Sequence, residues 1–152
     1  MSQKIEYLVI HCTATPAGRE VSASDIRTWH TSPPPRGRGW SQVGYTDMVH
    51  LDGSVERLVK NNDDAYVDAW EITNGVAGFN SRSRHIVYVG GLSTDGHKHQ
   101  DTRTDLQRQS LAKFVLAFHK RFPLVKIVGH NNLAAKDCPS FDVHDWLHTI
   151  GL

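Results

Sequence analysis

Two short apolar runs frame the chain. Ile5 to Ile10 (IEYLVI) and Leu124 to Val128 (LVKIV) are too short for amphipathic helices and rich in branched residues, so both read as buried strands. A histidine stands just beyond each, His11 after the first and His130 after Gly129. Between them the hydrophobic period switches repeatedly. Val21 to His30 carries Ser22 and Ser24 as N-cap candidates and sets Ile26, Trp29 and His30 at helical spacing, predicting a short helix that faces a sheet through Ile26 and Trp29. Tyr45 to Leu51 alternates, Asp52-Gly53 is a turn signal and Ser54 to Val59 returns, which predicts a hairpin. His85 to Val89 is another strand, closed by Gly90-Gly91. Thr104 with Gln107 forms a capping box ahead of a long helix whose stripe is Leu111, Phe114, Val115 and Phe118; Pro123 ends it. Val143 to His148 reads as a short closing helix, and Tyr66 to Glu71 fits neither period. Ser32 to Gly39, with Pro33 to Pro35, supports neither helix nor central strand. Its Arg36, Arg38 and Trp40 form either a solvated loop with one anchoring aromatic or part of a ligand groove.

Strands alternating with helices place the chain in the α/β class. The expectation is one domain over residues 1–152: a central mixed β-sheet of about five or six strands flanked by helices, the long helix on one face and shorter ones around it. A length of 152 residues with 39% hydrophobic content suits one core. Seventeen Lys and Arg against sixteen Asp and Glu leave a formal charge of +1, so neither nucleic acid nor a membrane surface is an expected partner, and a monomer is expected. No run reaches transmembrane length. The start, MSQKIEYLVIH, has neither a basic leader nor a long apolar stretch, so synthesis in a bacterial cytoplasm without a signal peptide is expected.

Candidate chemistry concentrates after the second apolar run, where an imidazole, an amine and a thiol fall at His130, Lys136 and Cys138. Nitrogen and thiolate ligands suit zinc, which needs three or four of them. If the two apolar runs pair as parallel strands, His11 emerges beside His130 and Cys138 closes a third corner, leaving a fourth position for water as in catalytic zinc sites. Ten histidines supply rivals. His144 and His148, at i and i+4, could clip a metal, yet no third ligand lies near them in sequence and no HExxH glutamate separates them. His97 and His99 lie in a polar loop, Thr94 to Asp101. Two cysteines make no disulfide scaffold, and Cys12 reads as a reduced, buried neighbour of the site.

Several segments together carry a family resemblance. They are His11-Cys12-Thr13-Ala14-Thr15, Trp29-His30, Gly44-Tyr45, Asp52-Gly53, Gly78-Phe79-Asn80, Val89-Gly90-Gly91, and His130 through Lys136-Asp137-Cys138-Pro139-Ser140-Phe141-Asp142. In this order they resemble the zinc-dependent N-acetylmuramoyl-L-alanine amidases, most closely the amidase-type lysozymes of bacteriophages, which share a fold with the peptidoglycan recognition proteins. The resemblance implies zinc as cofactor on His11, His130 and Cys138, with Tyr45 and Lys136 as catalytic side chains. It implies peptidoglycan as partner and hydrolysis of the amide between the lactyl group of N-acetylmuramic acid and the first L-alanine, as in a phage endolysin acting on the wall after release or export. Two departures stand out. The family's Ser-Ile-Gly strand entry reads Ser83-Arg84-His85-Ile86, and a histidine often found just before the Gly-Tyr-Asn segment is missing near Gly75. Thr13, Asn80 and Asp142 are candidates for supporting the ligands or fixing loops. The alternatives are a peptidoglycan-binding module without catalysis, against which Cys138 argues, and a phage lysozyme that also regulates an RNA polymerase, for which no residue marks a surface.

Overall fold

The computed structural model describes residues 2–152. A two-residue strand, β1 (Gln3–Lys4), precedes β2 (Tyr7–Cys12), which is buried throughout after Tyr7. β3 (Thr15–Pro16), α1 (Ala23–Thr31) and the hairpin β4 (Asp47–Val49) and β5 (Val55–Arg57) follow. Then come β6 (Tyr66–Val67), β7 (Ser83–Tyr88), β8 (Gly91–Leu92), α2 (Asp105–Arg121), β9 (Lys126–Gly129), α3 (His130–Leu133) and α4 (Val143–Thr149). The central sheet has five strands in the order β5-β4-β7-β2-β9. It is mixed, because every pairing is parallel except the β4–β5 hairpin.

Alternation along the strands divides the core. Leu8, Ile10 and Cys12 of β2 turn to one face with Ile86 and Tyr88, where Leu111 and Val115 of α2 and Val143 and Trp146 of α4 cover them. The other face carries Met48, Val87 and Val89 under Ile26 of α1, with Val21 and Val43. His11 and His85, out of phase with the first set, project on this second face. The closing helix therefore shares the long helix's side of the sheet, and α1 takes the opposite side.

Three elements differ from their sequence reading. In α1 the inward pair is Ile26 with His30, not Ile26 with Trp29: the indole is 41% exposed, whereas His30 is buried and its Nδ1 accepts the Gly44 N–H at 2.9 Å. A buried N–H needs that acceptor, which an indole cannot provide. β9 begins at Lys126, since Leu124 is 87% exposed and pairing with β2 starts only at Lys126. His130, beyond the second apolar run, opens one helical turn, α3. The Tyr66 to Glu71 stretch resolves into β6 and a 3-10 turn at Ala69–Glu71. No helix among the described residues is long and apolar enough to cross a membrane.

The capping box on α2 has a second duty. Thr104 Oγ1 accepts the Gln107 N–H at 3.0 Å while Gln107 Oε1 accepts the Thr104 N–H at 2.9 Å. Gln107 is wholly buried, and its Nε2 donates to Val49 O and Val89 O at 3.3 and 2.9 Å, tying the helix start to the ends of β4 and β7. Replacing Gln107 by Leu takes the Gln107 donor from the Val89 carbonyl, while Val49 O keeps the Val89 N–H at 3.0 Å, and should cost about 1–3 kcal/mol in a denaturant titration. A midpoint equal to that of the parent would show that the Val89 carbonyl needs no such partner.

Candidate metal centre and its groove

β2 and β9 run parallel with Ile10 opposite Gly129, so the next residue of each, His11 and His130, leaves the sheet at the same edge. His11 is buried and His130 half-buried, with ring centroids 4.8 Å apart. The chain after α3 folds back through the Asn131 N–H, which donates to Cys138 O at 2.8 Å. Cys138 Sγ accepts the Cys12 N–H at 3.1 Å and lies 3.8 Å from His11 Nδ1. One donor atom from each of His11, His130 and Cys138 falls within 4.8 Å of the others. No other such group of three or more His, Cys, Asp or Glu side chains occurs among the described residues.

This set fits zinc. With Zn–N near 2.1 Å and Zn–S near 2.3 Å, a nitrogen and a sulfur on one tetrahedral ion stand about 3.6 Å apart, close to the observed separation of His11 and Cys138. The rival pair His144 and His148 has ring centroids 4.8 Å apart and no third ligand. Both cysteines are free thiols. Cys12 is packed in the core under α2 and supports the site with its backbone N–H.

Burial keeps the ligating groups uncharged. His11 is lowered well below the usual imidazole range, first by burial and then by His85, His130 and His30. Burial, followed by Lys136, lowers His130. His30 falls to about 4 through burial and Arg38, and His85 to about 3 through burial and His130. Neutral imidazole is the form that binds metal. The Cys138 thiol is held above its ordinary range by the adjoining Cys12 thiol and by burial, so coordination must release its proton.

Behind His11 runs a polar line. His11 Nε2 lies 2.9 Å from His85 Nδ1, His85 Nε2 lies 3.0 Å from Asn80 Oδ1, and Asn80 Oδ1 accepts the Val76 N–H at 2.8 Å. A Cβ at position 75 would collide with the His85 ring, so the two departures from the family pattern, at Gly75 and at His85, fall on one space. Thr13 and Asp142 serve local structure: Thr13 Oγ1 accepts the Gly90 N–H at 2.9 Å, and the Asp142 carboxylate caps α4 through the Asp145 N–H at 2.9 Å.

In front of His11 and His130 opens a groove of about 340 Å³, also lined by His30, Arg38, Trp40, Tyr45 and Lys136. The proline-rich loop thus serves the groove, with the Arg38 guanidinium 5.2 Å from the Trp40 ring centroid. Tyr45 sits just ahead of β4, its ring 5.2 Å from that of His11. Burial, with smaller contributions from Cys138 and Cys12, raises its phenol far above the ordinary range, which favours the protonated hydroxyl. Lys136 is exposed on the rim. Sequence reasoning missed His30 and His85 as parts of the site. The spacing from Ile26 marked the buried side of α1 for His30; nothing local marked His85.

The model of the N-acetylmuramoyl-L-alanine amidase family matches residues 1–141. The chain belongs to this family. The endolysin of Enterobacteria phage K11 is 31% identical over 147 residues, covering 97% of this chain and 88% of that protein. The Ph2119 endolysin from Thermus scotoductus MAT2119 bacteriophage Ph2119 superposes with a TM-score of 0.72 at 28% identity, covering 99% of this chain and 87% of that one. The N-acetylmuramoyl-L-alanine amidase LysC from Clostridium intestinale URNW has the same fold, with a TM-score of 0.72 at 18% identity over 98% of this chain and 87% of that one. His11 and His130 line the groove, and Cys138 Sγ stands 3.8 Å from His11 Nδ1.

A protonated Cys138 beside neutral imidazoles would make any metal uptake at this site pH-dependent. Zinc binding should release about one proton, and affinity should rise about tenfold per pH unit between about pH 6.5 and 8. Competition with a chromophoric chelator at stepped pH reads this slope. An affinity independent of pH would mean that no donor carries a proton to lose.

Proposed function

We propose that residues 1–152 form one zinc-dependent amidase domain that cleaves the amide between N-acetylmuramic acid and L-alanine in bacterial cell-wall peptidoglycan, as a phage-type endolysin. The observation that carries this reading is the meeting of the His11, His130 and Cys138 donors within 4.8 Å, beside a groove that His11 and His130 line.

An unactivated amide hydrolyses very slowly, so the site needs a nucleophile at neutral pH and a means of stabilising an oxyanion. Zinc held by His11, His130 and Cys138 would supply the activated water and polarise the scissile carbonyl. The chain's own groups do the rest. Lys136 on the rim offers an ammonium donor to the developing oxyanion. Tyr45, which keeps its proton, donates a second hydrogen bond to the same charge. His30 accepts the Gly44 N–H on Nδ1, so its hydrogen is on Nε2, available to a substrate oxygen. Arg38, stacked over Trp40, gives the groove a positive wall for the carboxylates of a stem peptide.

The direct test is digestion of purified peptidoglycan with mass spectrometry of the products. New N-terminal alanine that disappears with a chelator and returns with zinc is the expected result; no such product would end the proposal. Lys136→Ala should keep its zinc and its fold and lose about 10²–10³-fold in kcat, the range for an oxyanion donor. Unchanged turnover would remove Lys136 from the chemistry. Arg38→Ala should raise KM for free-carboxylate stem peptides much more than it lowers kcat, and an equal KM would show that the guanidinium faces solvent only.

A further inference from the structure

We propose that His85 is a positioning residue for the metal centre, holding His11 in the tautomer whose bare Nδ1 faces Cys138. The purpose of that bare nitrogen rests on the zinc reading above; the tautomer itself does not.

The argument runs along the polar line behind His11. The Val76 N–H points at Asn80 at 2.8 Å, and a backbone N–H only donates, so the side-chain atom it meets must be Oδ1 and not the amide nitrogen. That same oxygen lies 3.0 Å from His85 Nε2 and can only accept, which puts the His85 hydrogen on Nε2. A neutral imidazole protonated there presents a lone pair on Nδ1. His11 Nε2, at 2.9 Å, must be the donor to it. His11 then has its lone pair on Nδ1, the atom 3.8 Å from Cys138 Sγ. The opposite order would put a hydrogen on His11 Nδ1 and close it to any metal.

Room for this arrangement comes from Gly75. Any side chain there would displace the His85 ring, which is 1% exposed and on the same sheet face as His11. Metal-bound histidines usually need such a partner on the second nitrogen, and its loss typically weakens metal binding 10- to 100-fold. Here the partner is a second imidazole, itself held in place by an amide.

Nitrogen-15 correlation spectra of the histidine-labelled, zinc-free protein test the tautomer without reference to activity. Hydrogen on Nε2 of both His11 and His85, with both Nδ1 atoms bare, is expected; hydrogen on His11 Nδ1 would overturn the proposal. His85→Leu should lose about 10- to 100-fold in zinc affinity by chelator competition and lose the single-tautomer signature of His11. His85→Asn, whose carbonyl oxygen sits near the place of Nδ1, should recover most of both. If both variants matched the parent in zinc affinity and His11 spectrum while melting lower, His85 would be packing alone and the proposal would fail. Should His85→Leu not fold, the spectrum of the unsubstituted protein decides. A parent that binds no zinc would sink the amidase reading but leave this spectrum to stand or fall separately.

Discussion

Parallel pairing of β2 with β9 is the constraint on which the site depends. With Ile10 opposite Gly129, the two strands end in step, and the residues that follow are His11 and His130. Side chains alternate along a strand, so a shift of one residue in β2 would send His11 into the core beneath α2 and bring Cys12 to the metal side. The apolar positions prevent this. Leu8, Ile10 and Cys12 are buried against α2 and α4, and a flip would break that packing and set His11 among apolar side chains. The same burial that holds the sheet together therefore sets how His11 and His130 stand to one another.

Burial also decides the charge state of the groups around that edge. His11, His30, His85 and His130 are all driven toward the neutral form, and Tyr45 retains its proton. Fixed positive charge stays outside, on Lys136 and Arg38 at the groove. An interior of neutral donors is inexpensive to desolvate, while cations near solvent remain able to meet an anionic substrate or a developing oxyanion. On the proposed reading two tasks are separate: His11, His130 and Cys138 take the metal, while Lys136 and Arg38 meet charge on the substrate.

Much of this was legible in the sequence because strong local signals agreed with the global fold. Apolar runs ending in histidine, the Thr104–Gln107 capping box and the Asp52-Gly53 hairpin each name an element and its end, and His11, His130 and Cys138 followed from pairing the two runs. What stayed hidden depended on contacts between distant segments. The inward turn of His30 instead of Trp29 follows from an orphan N–H on Gly44, fourteen positions away along the chain. The His85 imidazole meets His11 only because β7 lies beside β2 and Gly75 leaves it space. The role of the proline-rich loop stayed open because its composition forbids regular structure without saying where the loop packs.

Zinc K-edge absorption of the zinc-loaded protein tests the central claim most directly. One sulfur at about 2.3 Å with two imidazole nitrogens at about 2.0–2.1 Å and one further light atom is the predicted shell. A shell with no sulfur, or with two, would contradict it: the first would place the metal away from Cys138, and the second would bring Cys12 into a closed structural site.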